Sequence, residues 1–415
     1  MIVSPLAPAA LAACLCLPIA AGAQVTPAPT PAGGTPLTLT AALALAREHA
    51  PAVGAAQARA VAAVAAAEAT RQWRSPTLDL SVENLGPQDL DHDGFVWFTQ
   101  PLDIGARRST RIAAAGAARD LLGREVDARR RLVDLAVVQT YLDVVRERQA
   151  TALLAAHQDA LTDVVELVRR RVAEGVSPEG DLRKLEAERA RTLTARIRAD
   201  LAQRQQGLAL AVLTGQADPA LSDRLVPPLA PPLAAPDVEA AVERRADVRA
   251  AVALVEQQRT AAAAERALGS TAIAAMGGYK RTSGFNTATA GVSIDLPFGL
   301  RNTPARLRAE AEVVAASFEL EQTRAMARLD IAQALLAAQV LNAQAARLDE
   351  DLVQPSLIAQ RAARAAFREG TGDALALVDA DRVHLDSRRE ALTMQLDAVA
   401  ASIRARLALG EDPLP

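Results

Sequence analysis

The chain has 415 residues, a formal net charge of -3 with both signs mixed throughout, and 50% hydrophobic but only 2% aromatic residues. No basic field invites nucleic acid, and that class of partner is excluded. Alanine inflates the hydrophobic fraction, so a core of large side chains is out of reach, and long helices packed closely through small residues are expected.

At the N-terminus, Ala9 to Ala23 form an apolar run ending in Ala21-Gly22-Ala23, which reads as a signal peptide, residues 1–23, cleaved before Gln24. Leu11-Ala12-Ala13-Cys14 has the form of a lipid-attachment motif. About 13 residues is short for a signal before such a cysteine, and Cys14 and Cys16 read more simply as parts of a discarded apolar segment. Cleavage there leaves a mature chain with no cysteine, hence no disulfide and no thiolate metal site. Residues 24–37, rich in Pro, Thr and Gly, read as a flexible leader. Beyond the signal no run of about 18 apolar residues predicts a transmembrane helix.

Two structural repeats follow, about 196 residues apart. The first, 38–219, holds a lead-in helix, a β-hairpin over 77–104 and a helical hairpin over 107–213. A Pro-rich linker, 220–236, joins it to the second, 237–410, with a lead-in helix, a β-hairpin over 271–298 and a helical hairpin over 303–409. A short tail, 411–415, closes the chain. Matching landmarks support the duplication: His49-Ala50-Pro51 with Arg244-Arg245-Ala246, Ala173-Glu174-Gly175 with Arg368-Glu369-Gly370, and Leu213-Thr214-Gly215 with Leu409-Gly410.

In the first β-hairpin Leu78, Leu80 and Val82 alternate with Asp79, Ser81 and Glu83. In the second, Ala290, Val292, Ile294 and Leu296 alternate with Gly291, Ser293, Asp295 and Pro297. Their partners are expected over Phe95–Ile104 and Thr271–Tyr279, with turns at Gly86–Gly94 and Ser283–Thr287. Trp73, Phe95, Trp97, Phe98, Tyr279, Phe285 and Phe298 all fall in or beside these strands, which suggests an interfacial aromatic girdle. Four strands cannot close a barrel, and an open edge in lipid strands backbone groups at several kcal/mol each. The strands therefore require oligomerisation, and three copies supply twelve. Apolar side chains then face lipid, and Asp79, Glu83 and Asp295 face the lumen.

The helical hairpins are long. Residues 107–174 contain no proline and two glycines, enough for about 100 Å of helix. The counterpart from Thr303 is interrupted by Pro355, where a kink or break is expected.

Asp89-Leu90-Asp91-His92-Asp93-Gly94 opens like a calcium loop, so Asp89, Asp91 and Asp93 are candidate metal ligands. Gln100 stands where the bidentate Glu belongs, and an exposed acidic turn is the simpler reading. The histidines are scattered, and no His-Glu-x-x-His, Ser-His-Asp or phosphate-loop pattern is present; the chain reads as a non-enzyme without a cofactor.

Taken in order, the signal, duplication, hairpins and long helices resemble the TolC-type outer-membrane efflux proteins over essentially the whole mature length. Leu39-Thr40-Ala41-Ala42-Leu43 leading to Ala50-Pro51, and the tips followed by Val378-Asp379-Ala380, carry the likeness. Val82-Glu83-Asn84-Leu85-Gly86 and Gln100-Pro101-Leu102-Asp103-Ile104-Gly105-Ala106-Arg107-Arg108 are similar to the branch serving cobalt-zinc-cadmium and copper exporters. The resemblance implies a mainly α fold with membrane β: a homotrimer with a twelve-stranded barrel in the outer membrane and a long α-helical barrel in the periplasm. It also implies a periplasmic adaptor and an inner-membrane proton-driven pump as partners. Its cargo on this reading is heavy-metal cations. The alternatives are a type I protein-secretion or multidrug duct and, in another class, a structural periplasmic coiled-coil protein. In the family two aspartates near the second tip ring the pore; here Asp379 matches one, and Ala376 replaces the other. Asp381, Glu186 and Glu188 are further candidates for acidic rings, with Arg189 and Arg382 as their cationic partners.

Overall fold

A computed structural model describes residues 36–83, 93–102, 104–216, 218, 221–233, 236–282, 284–295 and 303–414, all in the unit Pro36–Pro415. In chain order the elements are α1 (Leu39–His49), α2 (Pro51–Arg71), β1 (Thr77–Glu83), β2 (Asp93–Leu102), α3 (Ala106–Ala173), α4 (Glu179–Thr214), α5 (Val238–Arg244), α6 (Ala246–Leu268), β3 (Ala272–Thr282), β4 (Phe285–Asp295), α7 (Thr303–Leu348), α8 (Gln354–Arg368) and α9 (Ala374–Ala408). The signal segment and most of the leader lie outside the described residues.

The duplication extends to backbone conformation. Thr38 caps α1, its Oγ1 accepting the Ala41 N–H at 3.2 Å, and Asp237 caps α5 in the same way through Ala240. A single extended residue then separates short from long helix, Ala50 in one half and Arg245 in the other. Both long hairpins turn on a left-handed glycine. At Gly175 the Val176 N–H reaches back to the Arg171 carbonyl at 2.8 Å, and at Gly370 the Thr371 N–H reaches that of Ala366 at 3.0 Å. Each closure satisfies carbonyls that the helix end would orphan.

α3 is one unbroken helix of 68 residues, about 100 Å long. Its counterpart is split, as Pro355 requires. A π turn at Asp349–Val353 precedes α8, and the Gln354 N–H bonds the Asp349 carbonyl five residues back. Proline has no N–H for the ordinary ladder, and the extra residue absorbs the defect.

Packing runs in two tiers: α2, α3, α6 and α7 side by side toward the sheet, and α4, α3, α9 and α7–α8 toward the tips. At mid-length, α1 lies on α3, with Leu39, Leu43, Val137, Tyr141, Leu142 and Ile403 in the principal core. Elsewhere buried positions are largely alanine, including Ala262, Ala327, Ala338 and Ala405, which lets the helix backbones approach closely.

The strands form one antiparallel sheet in the order β1-β2-β3-β4, so the two hairpins, far apart in sequence, pair through β2 and β3. The second turn is tighter than its sequence suggests. β3 runs on to Thr282 and β4 starts at Phe285, with Gly284 at φ 81 supplying the bend.

Candidate functional site

Register assigns every strand residue to a face, because directly paired residues in an antiparallel ladder project to the same side. One face carries Leu78, Leu80, Val82, Val96, Phe98 and Leu102 from the first hairpin. From the second it carries Ile273, Ala275, Tyr279, Ala288, Ala290, Val292 and Ile294. Apart from Gln100, which pairs with Ala275, it is apolar, and it is open: Leu80 is 71% and Val292 63% exposed. Toward the turn of the second hairpin this face becomes polar, with Arg281 and Asn286 beside Tyr279, whose hydroxyl donates to Asn286 Oδ1 at 2.6 Å.

The other face carries Asp79, Ser81, Glu83, Asp93, Thr99, Lys280, Thr282, Thr287, Thr289, Ser293 and Asp295, so the three candidate lumen carboxylates share one side. Among the described strand residues its four carboxylates face one ammonium, a net charge of -3.

The aromatic girdle is corrected by the same register. Phe98 and Tyr279 lie on the apolar face, whereas Phe95, Trp97 and Phe285 lie on the polar one. Proximity in sequence could not distinguish these sides; only the pairing parity does. Trp73 precedes β1 with the Arg108 guanidinium 5.2 Å from its ring centroid, and Phe298 lies outside the described residues. Among the calcium-loop candidates, Asp89 and Asp91 also lie outside them, and Asp93 pairs with Glu83 in the ladder. Among the described residues no group of His, Cys, Asp or Glu is arranged to hold a metal ion.

Between sheet and helices, the arginines after Ile104 act as a clamp. Arg107 donates to the carbonyls of Ala267 at 3.3 Å, Leu268 at 2.6 Å and Ser270, closing the end of α6. Arg108 does the same for α2 through the Arg71 carbonyl at 2.8 Å. Positive side chains at helix C-termini both satisfy orphan carbonyls and complement the helix dipole.

At the opposite end the hairpin tips pack through Val165, Val168, Leu182, Leu185, Phe367 and Leu377. Arg171 staples them, its guanidinium 4.6 Å from the Phe367 ring centroid and donating to the Phe367 carbonyl at 3.3 Å. Asp379 is exposed and paired with Arg382 at 3.0 Å one turn along α9, and Ala376 is exposed one turn before it. Glu186 is held by Arg169 of α3 at 3.1 Å and Arg183 at 3.0 Å, which keep its carboxyl below the usual range. Glu188 pairs with Arg191 at 3.4 Å, and Arg189 is partly buried. The first-copy acids thus bind arginines of their own hairpin.

Asp381 leaves the pore set. It is 1% exposed, and Arg364 of α8 donates to its Oδ1 at 3.1 Å. Two residues from the exposed Asp379, it sits on the inward side of α9, a distinction that helical phase sets. Around it His157 of α3, Ser356 and Gln360 of α8, and His384 of α9 are all buried, and Ser356 Oγ lies 3.0 Å from His384 Nδ1. Sequence reading missed this layer because its members come from three helices at unrelated spacings.

Among the described residues the outward edges are left uncovered. α7 exposes Leu307, Val314, Phe318, Leu329, Leu336 and Val340, on the side opposite its buried Ala316, Ala327, Ile331 and Ala338. α4 exposes Leu193, Ile197, Leu201, Leu208 and Val212, again turned away from its buried positions. Steps of four, seven and eleven residues give both stripes the periodicity of a coiled-coil seam.

A protein-family model described as outer membrane efflux protein matches residues 42–216 and 238–411. Among solved structures, the outer membrane protein VceC from Vibrio cholerae is 22% identical, covers 90% of this chain and 96% of its own, and superposes with a TM-score of 0.77. The MtrE outer membrane channel of Neisseria gonorrhoeae, in its open state, is 19% identical over 91% and 89%, TM-score 0.78. CusC is 19% identical over 90% and 92%, TM-score 0.76. At these identities the likenesses establish the fold. No curated protein matches in sequence.

Proposed function

This chain belongs to the outer membrane efflux protein family, and we propose on that footing that three copies close one channel, with cations as its principal cargo. As a member of the family it is an outer-membrane efflux channel that extends into the periplasm. The observation that carries the trimer is the matched pair of open edges. Among the described residues β1 and β4 each have one hydrogen-bonded neighbour, and the apolar stripes of α4 and α7 lie on the outer sides of the helical sheet. In lipid each unpaired strand group costs several kcal/mol, so β4 of one copy pairs with β1 of the next. Three sheets of four make a twelve-stranded barrel.

In that assembly the apolar face meets lipid and Asp79, Glu83 and Asp295 line the lumen. At the periplasmic end Asp379 forms a threefold carboxylate ring tempered by Arg382, and an adaptor and a proton-driven pump supply the cargo and the energy. Heavy-metal cations are the proposed cargo, supported by the acidic face, the segments around Val82–Gly86 and Gln100–Arg108, and the likeness to CusC. Organic cargo is a second reading, favoured by the inward aromatics Phe95 and Trp97.

Reconstitution in a planar bilayer tests the channel. A cation-selective conductance is expected, with selectivity falling in the combined variant Asp79→Asn, Glu83→Gln, Asp295→Asn. Anion selectivity or absent conductance contradicts it. Loss of tolerance to cadmium, zinc or copper on deletion of the gene tests the cargo.

A further inference from the structure

The polar face of the sheet is the place where cargo chemistry is written on this chain, and its aromatics need a reason to be there. Only ten residues of 415 are aromatic. Three of them, Phe95, Trp97 and Phe285, project from a face otherwise made of carboxylates, hydroxyls and small residues, with Lys280 and Met276 beside them.

The setting of Trp97 is built. It pairs across β3 with Gly278, and a Cβ there would come within 2.6 Å of Trp97 Cε3 and 3.0 Å of Cδ2. The indole therefore lies over the backbone of β3, in space that only glycine leaves, and stays part-exposed. Across β1 the directly paired residue is Asp79, whose Cβ is about 5 Å away by ladder geometry. One rung along, Phe95 pairs with Lys280, and the Lys280 ammonium lies 5.1 Å from the Phe95 ring centroid. One aromatic of this face already holds a cation on its ring. Trp97 has the stronger quadrupole and a carboxylate as neighbour, and none of its directly paired residues is cationic.

We infer that this face carries a stacking site for aromatic organic cations, with the Trp97 indole as platform and the Asp79 carboxylate as counter-charge. It rests on the barrel reading, in which three such sites ring the lumen, and it extends the cargo beyond inorganic ions. A flat cation gains both stacking and charge attraction there, whereas a compact hydrated cation gains only the charge.

The test is block of the reconstituted channel by tetraphenylphosphonium, with tetraethylammonium as the non-aromatic control of equal charge. Tetraphenylphosphonium is expected to block wild type at far lower concentration than tetraethylammonium. Trp97→Ala is expected to weaken that block by about fivefold, read against its own unblocked current, and Trp97→Phe to restore most of it. Equal block of wild type and Trp97→Ala overturns the proposal, as does a conducting wild type indifferent to the aromatic ion. A wild type that never conducts overturns the barrel reading itself, which separates the two failures. Should Trp97→Ala fail to assemble, Trp73→Phe leaves Trp97 as the sole tryptophan of the chain's two. Its emission is then expected to change with tetraphenylphosphonium and not with tetraethylammonium; an unchanged emission overturns the site.

Discussion

Tyr141 and Val226 hold each other through a reciprocal pair. The Val226 N–H donates to the Tyr141 hydroxyl at 3.0 Å, and that hydroxyl lies 2.7 Å from the Val226 carbonyl. It lies equally close to the Leu37 carbonyl, so one buried phenol ties the end of the leader and the linker between repeats to the middle of α3. Tyr141→Phe leaves buried backbone groups short of a partner and is expected to cost about 1–3 kcal/mol, read as a lowered unfolding midpoint. Burial pushes the hydroxyl up to about 12. A raised acid keeps its proton in the folded state, so this contribution is complete below about pH 10 and is lost as pH rises toward 12. Tyr141→Phe should flatten that alkaline limb.

Removing the two partners of the buried ion pair should be unequal. Arg364→Ala strands a carboxylate that has no exposed surface and is expected to cost about 3–5 kcal/mol. Asp381→Asn leaves a partly exposed guanidinium that water can solvate, and should cost much less. Asp381→Asn should also leave cation selectivity unchanged, whereas Asp379→Asn should lower it. Single-channel reversal potentials separate the two.

Acid should loosen the same layer. Burial pushes the imidazoles of His157 and His384 down, against the pull of Asp381. The unfolded chain therefore binds more protons than the folded one, so stability is complete above about pH 6.5 and declines as pH falls below it. Thermal midpoints between pH 7.5 and 5 should drop less in His157→Gln than in wild type.

Two glycines with the same backbone sign should respond differently. Gly175 at φ 73 and Gly215 at φ 69 both lie in the left-handed region, where a side chain costs about 1–2 kcal/mol. At Gly175 a Cβ meets nothing within 4 Å, but at Gly215 it would come within 2.6 Å of the His49 Cβ. Gly215→Ala should therefore lower the midpoint more than Gly175→Ala.

Much of this architecture is legible in the chain because it rests on local rules. Period-two alternation at Leu78–Glu83 gives a strand, glycine at 175 and 370 ends a helix, and Pro355 breaks one. What the sequence hides is which side a residue faces once partners are chosen. Trp97 and Phe98 are neighbours on opposite faces of the sheet, and Asp379 and Asp381 lie on opposite sides of α9. The first depends on the register with β1 and β3, the second on how α9 lies against α8. The Ser356–His384 contact was equally hidden, since it joins α8 to α9 at a spacing that no local pattern sets.

Among the described residues, one protomer leaves both edges of its sheet and two helix stripes uncovered. The direct measurement is the mass of the protein extracted from membranes in mild detergent, by light scattering corrected for bound detergent. Three times the protomer mass is the predicted result; a stable, water-soluble monomer would contradict it.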